Sequence, residues 1–383
     1  MLGQLNLQFI KRSSSSLLKS TKRSYGGPIM DSNEGYIDLR SDTFTKPTKR
    51  MREAMANSKV GDDCYGEDPS INELQVQIAK LFGKEAALFA PTGTMSNLIC
   101  MMIHCRVKGE AAILGDQSHI YNIERGGISA LGGIHPIVVS NTKEGSLDLK
   151  QLKRAIPPSS YHLAQPRVVA LENTHNLAGG MVIDLKEISK VNSIARKHNI
   201  KMHLDGARAL NAASYLNIDP ADLVADFDTV NFCLSKGLGC PIGSLVIGTK
   251  EDIAHAVVIR KMLGGAMRQV GVLGICGLDA LQDWKEIMKT DNENGQYLAQ
   301  QISSLPWISI NAESVKTNII IFRVKKHSQF GDSAKAFSDH MRFNEKILMS
   351  PSFIDHDKIR MVTHRDITQQ DLEKVIKAFK SVK

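Results

Sequence analysis

Short apolar runs alternate with amphipathic stretches along most of this chain. Ala86–Ala90, Ala111–Leu114, Pro136–Ser140, Arg167–Glu172, Lys201–Asp205 and Thr229–Leu234 are apolar or β-branched, and most break off into polar residues or glycine. That pattern predicts buried parallel strands reaching the carboxyl edge of a sheet. Helical periodicity fills the intervals. In Ser70–Phe82, residues Ile71, Leu74, Ile78 and Leu81 form one stripe, and Ser70 with Glu73 is placed as a capping box. Asp184 with Glu187 opens Leu185–Lys197 in the same way, and Thr48–Asn57, Met95–His104 and Asp148–Ala155 are further expected helices. Gly243–Gly248 adds a last strand. Strand–helix–strand repetition from about residue 86 to 248 implies right-handed crossovers and a mainly parallel sheet with helices on both faces. The expected fold class is α/β.

The texture changes near residue 285. A Gly-rich basic turn, Arg260–Gln269, leads into an apolar helix ending near Leu281. A charged helix (Asp291–Ser303), two strand-like runs (Asn318–Val324 and Lys358–Val362) and a terminal helix (Gln370–Phe379) then read as a small α+β domain. The expected organisation is a leading segment 1–30, a large domain 31–284 and a small C-terminal domain 285–383.

Composition narrows the function classes. With 42% hydrophobic and 23% charged residues the chain has ample material for a core. No apolar run approaches the ~18–20 residues that cross a bilayer, so no membrane partner is expected. The net charge is +8, but residues 1–30 hold Lys11, Arg12, Lys19, Lys22 and Arg23 and no acid, which leaves +3 for the body. A body so weakly basic, without basic–aromatic interleaving, is not a nucleic-acid binder. The leading segment is basic, Ser-rich and opens on apolar residues, as mitochondrial transit peptides do. The alternatives are a disordered tail, or an upstream extension with translation also starting at Met30 in a cytoplasmic protein. Six scattered cysteines without a CxxC pair indicate reduced thiols rather than a zinc or disulfide framework, and no metal is expected.

Candidate chemistry lies at the predicted strand ends, where open α/β sheets bind ligands. Asp205 ends one strand and Lys236 follows another within Ser235–Lys236–Gly237. An amine that can hold an aldehyde as a Schiff base, beside a carboxylate that can keep a pyridine nitrogen protonated, suits pyridoxal phosphate. Gly93 and Thr94 open a helix, where free backbone N–H groups suit a phosphate. His119 follows a strand at the same edge and suits stacking on a flat ring or shuttling protons. Asn173–Thr174–His175–Asn176 is a polar cluster at another strand end. Arg360, on a late strand, suits bidentate carboxylate binding. The acidic loop Gly61–Pro69 is compatible with a bound cation or with a solvated turn.

Taken together these stretches resemble the threonine aldolase family of pyridoxal-phosphate enzymes. The resemblance is carried by IDLRSDTFTKPT (37–48), VGDDCYGEDPSINEL (60–74), APTGTMSN (90–97), DQSHIYN (116–122), LENTHN (171–176), HLDGAR (203–208), CLSKGLGCPIGSL (233–245), RKMLGGAMRQ (260–269) and IRMVTH (359–364), in the family's order. It implies the aspartate aminotransferase-type fold, called fold type I. It also implies a small amino-acid substrate and a homo-oligomer, usually a tetramer built from dimers with active sites at the subunit interface. By the same resemblance Lys236 forms the Schiff base, Asp205 meets the pyridine nitrogen, and Gly93 and Thr94 form the phosphate cup. His119 stacks on the ring. Arg208 contacts the cofactor O3′ or the substrate carboxylate, and Ser41 and Arg360 bind that carboxylate. His175 lies near the β-hydroxyl. Lys261 and Arg268 reach a site across the dimer. Ala266 departs from the pattern, standing where many members have a third glycine.

The implied reaction is retro-aldol cleavage of L-threonine or L-allo-threonine to glycine and acetaldehyde. His175, His119 or a water they hold would take the β-hydroxyl proton. The same fold also supports transamination, β-elimination and racemisation, and a non-catalytic cofactor-binding homologue is the remaining alternative.

Overall fold

The computed structural model describes residues 35–352 and 355–382; the expected targeting segment 1–30 lies outside the described residues. Strand β1 (Ile37–Asp38) comes first in the chain. Strands β2 (Ala86–Ala90), β3 (Ala111–Gly115), β4 (His135–Val139), β5 (Pro166–Glu172), β6 (Lys201–Asp205), β7 (Thr229–Cys233) and β8 (Ser244–Gly248) form a seven-stranded sheet of order β2-β8-β7-β6-β5-β3-β4. Neighbours are parallel except at β8, which runs antiparallel to both β2 and β7. The cause is the connection. Leu234 to Gly243 is too short for a crossover, so β8 must return beside β7. Leu234 N–H donates to the Gly243 carbonyl at 3.0 Å and closes the loop. Lys236 is therefore carried on a short, tied loop at the carboxyl end of β7.

Alternate residues of the strands face opposite layers, as the strand period requires. Ile113, Val169, Leu171, Met202, Leu204 and Phe232 pack with the helices Pro69–Leu81, Leu185–Lys197, Ala209–Leu216 and Gly271–Ala280. Ala112, Leu114, Val168, Ala170 and Val246 pack on the other face with Gly93–His104 and Lys250–Met262. A separate C-terminal core surrounds Trp307, Phe322, Phe337 and Phe379, on a sheet of β9 (Ile308–Ser309), β10 (Ile319–Val324), β12 (Ser350–Pro351) and β13 (Lys358–Val362). Leu39 is buried in that core, next to β1, which pairs in parallel with β11 (Ile347–Leu348). The helix Trp284–Ser303 gives Met288 to the large core and Leu298 and Ile302 to the C-terminal one. Among the described residues no helix is long and apolar enough to cross a membrane.

Local details depart from expectation in three places. The cap of Pro69–Leu81 is Asp68, whose Oδ1 accepts from Ile71 N–H at 3.1 Å. Pro69 occupies the first helical turn, where its missing N–H costs nothing, and Ser70 Oγ instead donates to the Lys59 carbonyl. Arg260 to Met262 end a helix, Lys250–Met262, that starts at a Thr249–Asp252 capping box, so the turn begins only at Leu263. The acidic loop is solvated only in part: residues 64–67 are exposed, whereas three of its acids are tied to the protein. Asp62 pairs with Arg268, Asp63 with buried Arg260, and Asp68 Oδ2 accepts from Gly271 N–H.

Candidate active site

One pocket at the carboxyl edge of the large sheet is lined by Gly93, Thr94, His119, Asp205, Arg208 and Lys236. These come from helix Gly93–His104, the turn after β3, the end of β6 and the loop after β7. Asn97, Glu172 and Asn231 also line it, and sequence reading had not singled them out.

Asp205 is buried and accepts at both oxygens. Asn97 Nδ2 donates to Oδ2 at 2.9 Å, and Asn231 Nδ2 and Ala207 N–H donate to Oδ1 at 3.0 and 3.2 Å. Burial alone would raise its pKa. The nearby charges of His119 and Lys236 and the Asn97 bond outweigh burial, and the carboxyl titrates below its ordinary range. Asn97 is itself held. Its Oδ1 lies 3.1 Å from His203 Nε2, and His203 Nδ1 lies 3.0 Å from the Thr229 hydroxyl. Burial pushes His203 down to about 3, so its ring is neutral. Facing two carboxylates, Asn97 must present its amide protons there, which assigns the proton on His203 to Nε2.

His119 Nδ1 meets Glu124 Oε1 at 2.9 Å, and Asn97 Nδ2 donates to the same oxygen. Burial works against a charged ring here, but the Glu124 bond and the Asp205 charge prevail, and the His119 pKa rises. Nδ1–H is thereby committed to Glu124, and Nε2 is the ring atom left for proton transfer. The donor atoms of His119, Glu124 and Asp205 lie within 4.8 Å of one another, with Asn97 bridging the two carboxylates.

Of the remaining candidates Arg208 lines this pocket, whereas His175, Ser41 and Arg360 are not among its lining residues. His175 is buried, and Nδ1 accepts from Ala178 N–H at 3.3 Å. In the neutral ring that bond places the proton on Nε2, which has no partner among the described residues. Arg208 forms a buried bidentate pair with Asp42, both contacts 2.7 Å. Burial opposes both charges, yet the pair holds Asp42 below and Arg208 above their ordinary values. Ser41 adjoins it, with Oγ 3.4 Å from Asp42 Oδ1. Arg360 donates from Nη1 to the Arg40 carbonyl at 3.0 Å and from Nη2 to Asn176 Oδ1 at 2.9 Å. Its Nε is buried and unpartnered, and burial, with the Arg208 charge, lowers its pKa to about 10.

Lys261 and Arg268 do not line the pocket. Lys261 is exposed near the end of its helix, and Arg268 is exposed and paired with Asp62 at 2.9 Å.

Residues 38–325 match the beta-eliminating lyase family. Low-specificity L-threonine aldolase 1 of Arabidopsis thaliana is 41% identical over 90% of this chain and 95% of that protein. This chain belongs to the threonine aldolase family. The low specificity L-threonine aldolase of Escherichia coli (strain K12) is 37% identical, over 88% of this chain and 97% of its own length. The solved threonine aldolase of Leishmania major has the same fold, with a TM-score of 0.76 at 20% identity, covering 90% of this chain and 98% of that one.

The family's pyridoxal phosphate can be tested against the aldolase-family pocket seen here. Met95 N–H is taken by the Thr92 hydroxyl, and the Gly93 and Thr94 amides have no carbonyl partner within the helix. A Cβ at Gly93 would lie 2.7 Å from the Cys233 sulfur, so only glycine fits this helix start. An ionised Asp205 suits a protonated pyridine nitrogen, and Lys236 faces the same pocket. The residues present fit the cofactor.

Of the missed residues, Asn97 was within reach. It lies one turn from Gly93 on the same helix face. Glu172 is a charged last residue of a buried strand. Asp42 carried no local signal, because its partner is 166 residues away.

Proposed function

We propose that this protein is a pyridoxal-phosphate-dependent aldehyde-lyase that cleaves L-threonine and L-allo-threonine to glycine and acetaldehyde, serving threonine breakdown and glycine formation. The observation that carries the proposal is the convergence of Lys236, ionised Asp205 and the free amides of Gly93 and Thr94 in one pocket. When bound, the cofactor supplies an electron sink for the electron pair left as the Cα–Cβ bond breaks.

The chain's own residues do the rest. Lys236 would hold the cofactor aldehyde, Asp205 would keep the pyridine nitrogen protonated, and His119 would contact the ring. Arg360, Arg208 and Ser41 bind and orient the substrate carboxylate. His119 Nε2, directly or through a water, takes the β-hydroxyl proton, because Nδ1–H is committed to Glu124. His175 donates from Nε2 to the same hydroxyl, because its Nδ1 is committed to Ala178 N–H. Reading the hydroxyl from two sides of a small pocket is the basis for cleaving both β-epimers.

The proposal extends to assembly and location. Lys261 and Arg268 serve the site of a second subunit in a dimer, two of which make a tetramer, and residues 1–30 direct mitochondrial import. The test is glycine and acetaldehyde release from both substrates by purified protein. Formation of a keto acid instead would favour transamination.

A further inference from the structure

We propose that Glu172 is a positioning residue that sets the spacing of the two histidine-bearing loops and, through Asn176, the aim of Arg360. Its kinetic consequence rests on the aldolase reading above; the clamp itself does not.

Glu172 ends β5 and is the register partner of Asp205 across the parallel β5–β6 pair. Two carboxylates thus lie side by side, buried, at one sheet edge. They are served differently. Asp205 takes two side-chain amides and one nearby backbone amide. Glu172 takes only backbone N–H groups. Its Oε2 accepts from His119 N–H at 2.8 Å and its Oε1 from Asn176 N–H at 2.9 Å. One side chain therefore spans the turn that starts with His119 and the loop that carries His175 and Asn176.

Each end matters for a different part of the substrate. His119 is anchored by its backbone at Glu172 and by its ring at Glu124, so its Nε2 has a fixed direction. Asn176 is anchored by its backbone at Glu172, and its Oδ1 holds Arg360 Nη2. The hydroxyl end and the carboxylate end of an amino acid are thereby referred to one carboxylate. The two bonds need two acceptors at full side-chain length. Glutamine keeps one acceptor and turns an NH2 toward the other amide, where donor faces donor. Aspartate is a methylene too short to span both loops.

The experiment follows amide hydrogen exchange and kinetics in the purified, cofactor-saturated wild type, Glu172→Gln and Glu172→Asp. In the wild type both amides should be protected; unprotected amides would overturn the clamp without any variant, so a variant that fails to fold does not shield it. In Glu172→Gln, exchange at His119 or Asn176 should quicken by about 10- to 100-fold, the loss of one charge-assisted bond. The visible cofactor absorbance should stay near wild type. The ratio of kcat/KM for L-threonine over L-allo-threonine should shift several-fold, since the groups reading the hydroxyl move relative to the carboxylate site. Unchanged exchange with an unchanged ratio would overturn the proposal. Wild-type protein that cleaves neither substrate, with the exchange result intact, would instead overturn the aldolase reading.

Discussion

The carboxyl edge of β5 to β7 and the arm formed by Lys250–Met262 with the turn after it hold site candidates in opposite conditions. At the sheet edge, Asp205, Lys236 and their neighbours are buried or half-buried, and Asp205 meets donors from two other segments and from the backbone of its own. On the arm, Arg260 is buried against Asp63 and the Phe89 carbonyl, while Lys261 beside it is exposed. Arg268 is exposed on the turn and paired only with Asp62. The sheet edge brings Asp205, Lys236 and the Gly93–Thr94 helix start together within one chain, whereas the arm adds no cation to that pocket. The arm is fastened in place, but its candidate cations are exposed and do not line the pocket.

The largest effect should come from breaking the organised side. Asp205→Ala should cost about 10³-fold in kcat, with weaker cofactor binding, because the electrostatic partner of the ring is gone. A variant with normal turnover would show that the edge is not the reaction centre. His119→Ala should follow, at about 10²–10⁴-fold, the usual worth of a general base. His175→Ala should cost less and alter the ratio of the two substrates, as expected of a donor. Steady-state kinetics on both epimers separates the two roles, and a larger loss at His175 would reverse them.

The arm is probed by mixing subunits. Arg268→Ala and Lys236→Ala should each be nearly inactive alone. Dissociated and reassembled together, they should recover up to about a quarter of wild-type activity, since half of random dimers carry one intact site of two. No recovery, with mixed dimers verified, would place Arg268 outside any shared site.

Smaller effects test the electrostatics. Glu124 helps raise the His119 pKa, so the acid limb of the kcat/KM profile should lie above the ordinary histidine value. Glu124→Gln should move it to lower pH. A limb that does not move would exclude His119 as the titrating group. Asp291 is the mildest case. It is buried with both carboxylate oxygens unpartnered, and burial, then repulsion from Asp42, raises its pKa well above the ordinary value. A raised carboxyl binds its proton more tightly folded than unfolded, so stability falls as pH rises past the ordinary carboxylate value. Asp291→Asn should therefore raise the Tm at about pH 8, with the gain fading toward about pH 4. An equal change at both pH values would contradict this.

Much of the frame was legible because period and abrupt termination are local signals. The six strands read from apolar runs lie where expected within a residue or so, and Asp205 and Lys236 followed from where two of them stop. The reversal of β8 was not read, although the ten residues before it already forbid a crossover. Ser70 has the right type and spacing for a cap, but Pro69 fits the first helical turn and moves the cap back to Asp68. Asp42, Glu124 and Glu172 were missed for another reason. Asp42 has its partner Arg208 far along the chain, while Glu124 and Glu172 each join a near residue to a remote one, and only the folded chain shows that a strand-end carboxylate serves two loops rather than solvent. The resemblance puts Arg208 at the cofactor O3′ or the substrate carboxylate, and the structure adds that Asp42 holds two of its guanidinium nitrogens.

The central claim is that Lys236 and Asp205 form one cofactor-dependent cleavage centre. It is tested most directly by recording the visible absorbance of purified protein with added pyridoxal phosphate. Release of glycine and acetaldehyde from L-threonine is then measured for the wild type and Lys236→Ala. A lysine-linked cofactor band and both products are expected in the wild type, with band and products lost in the variant. A wild type without the band, or a Lys236→Ala protein that still releases acetaldehyde at the wild-type rate, would contradict it.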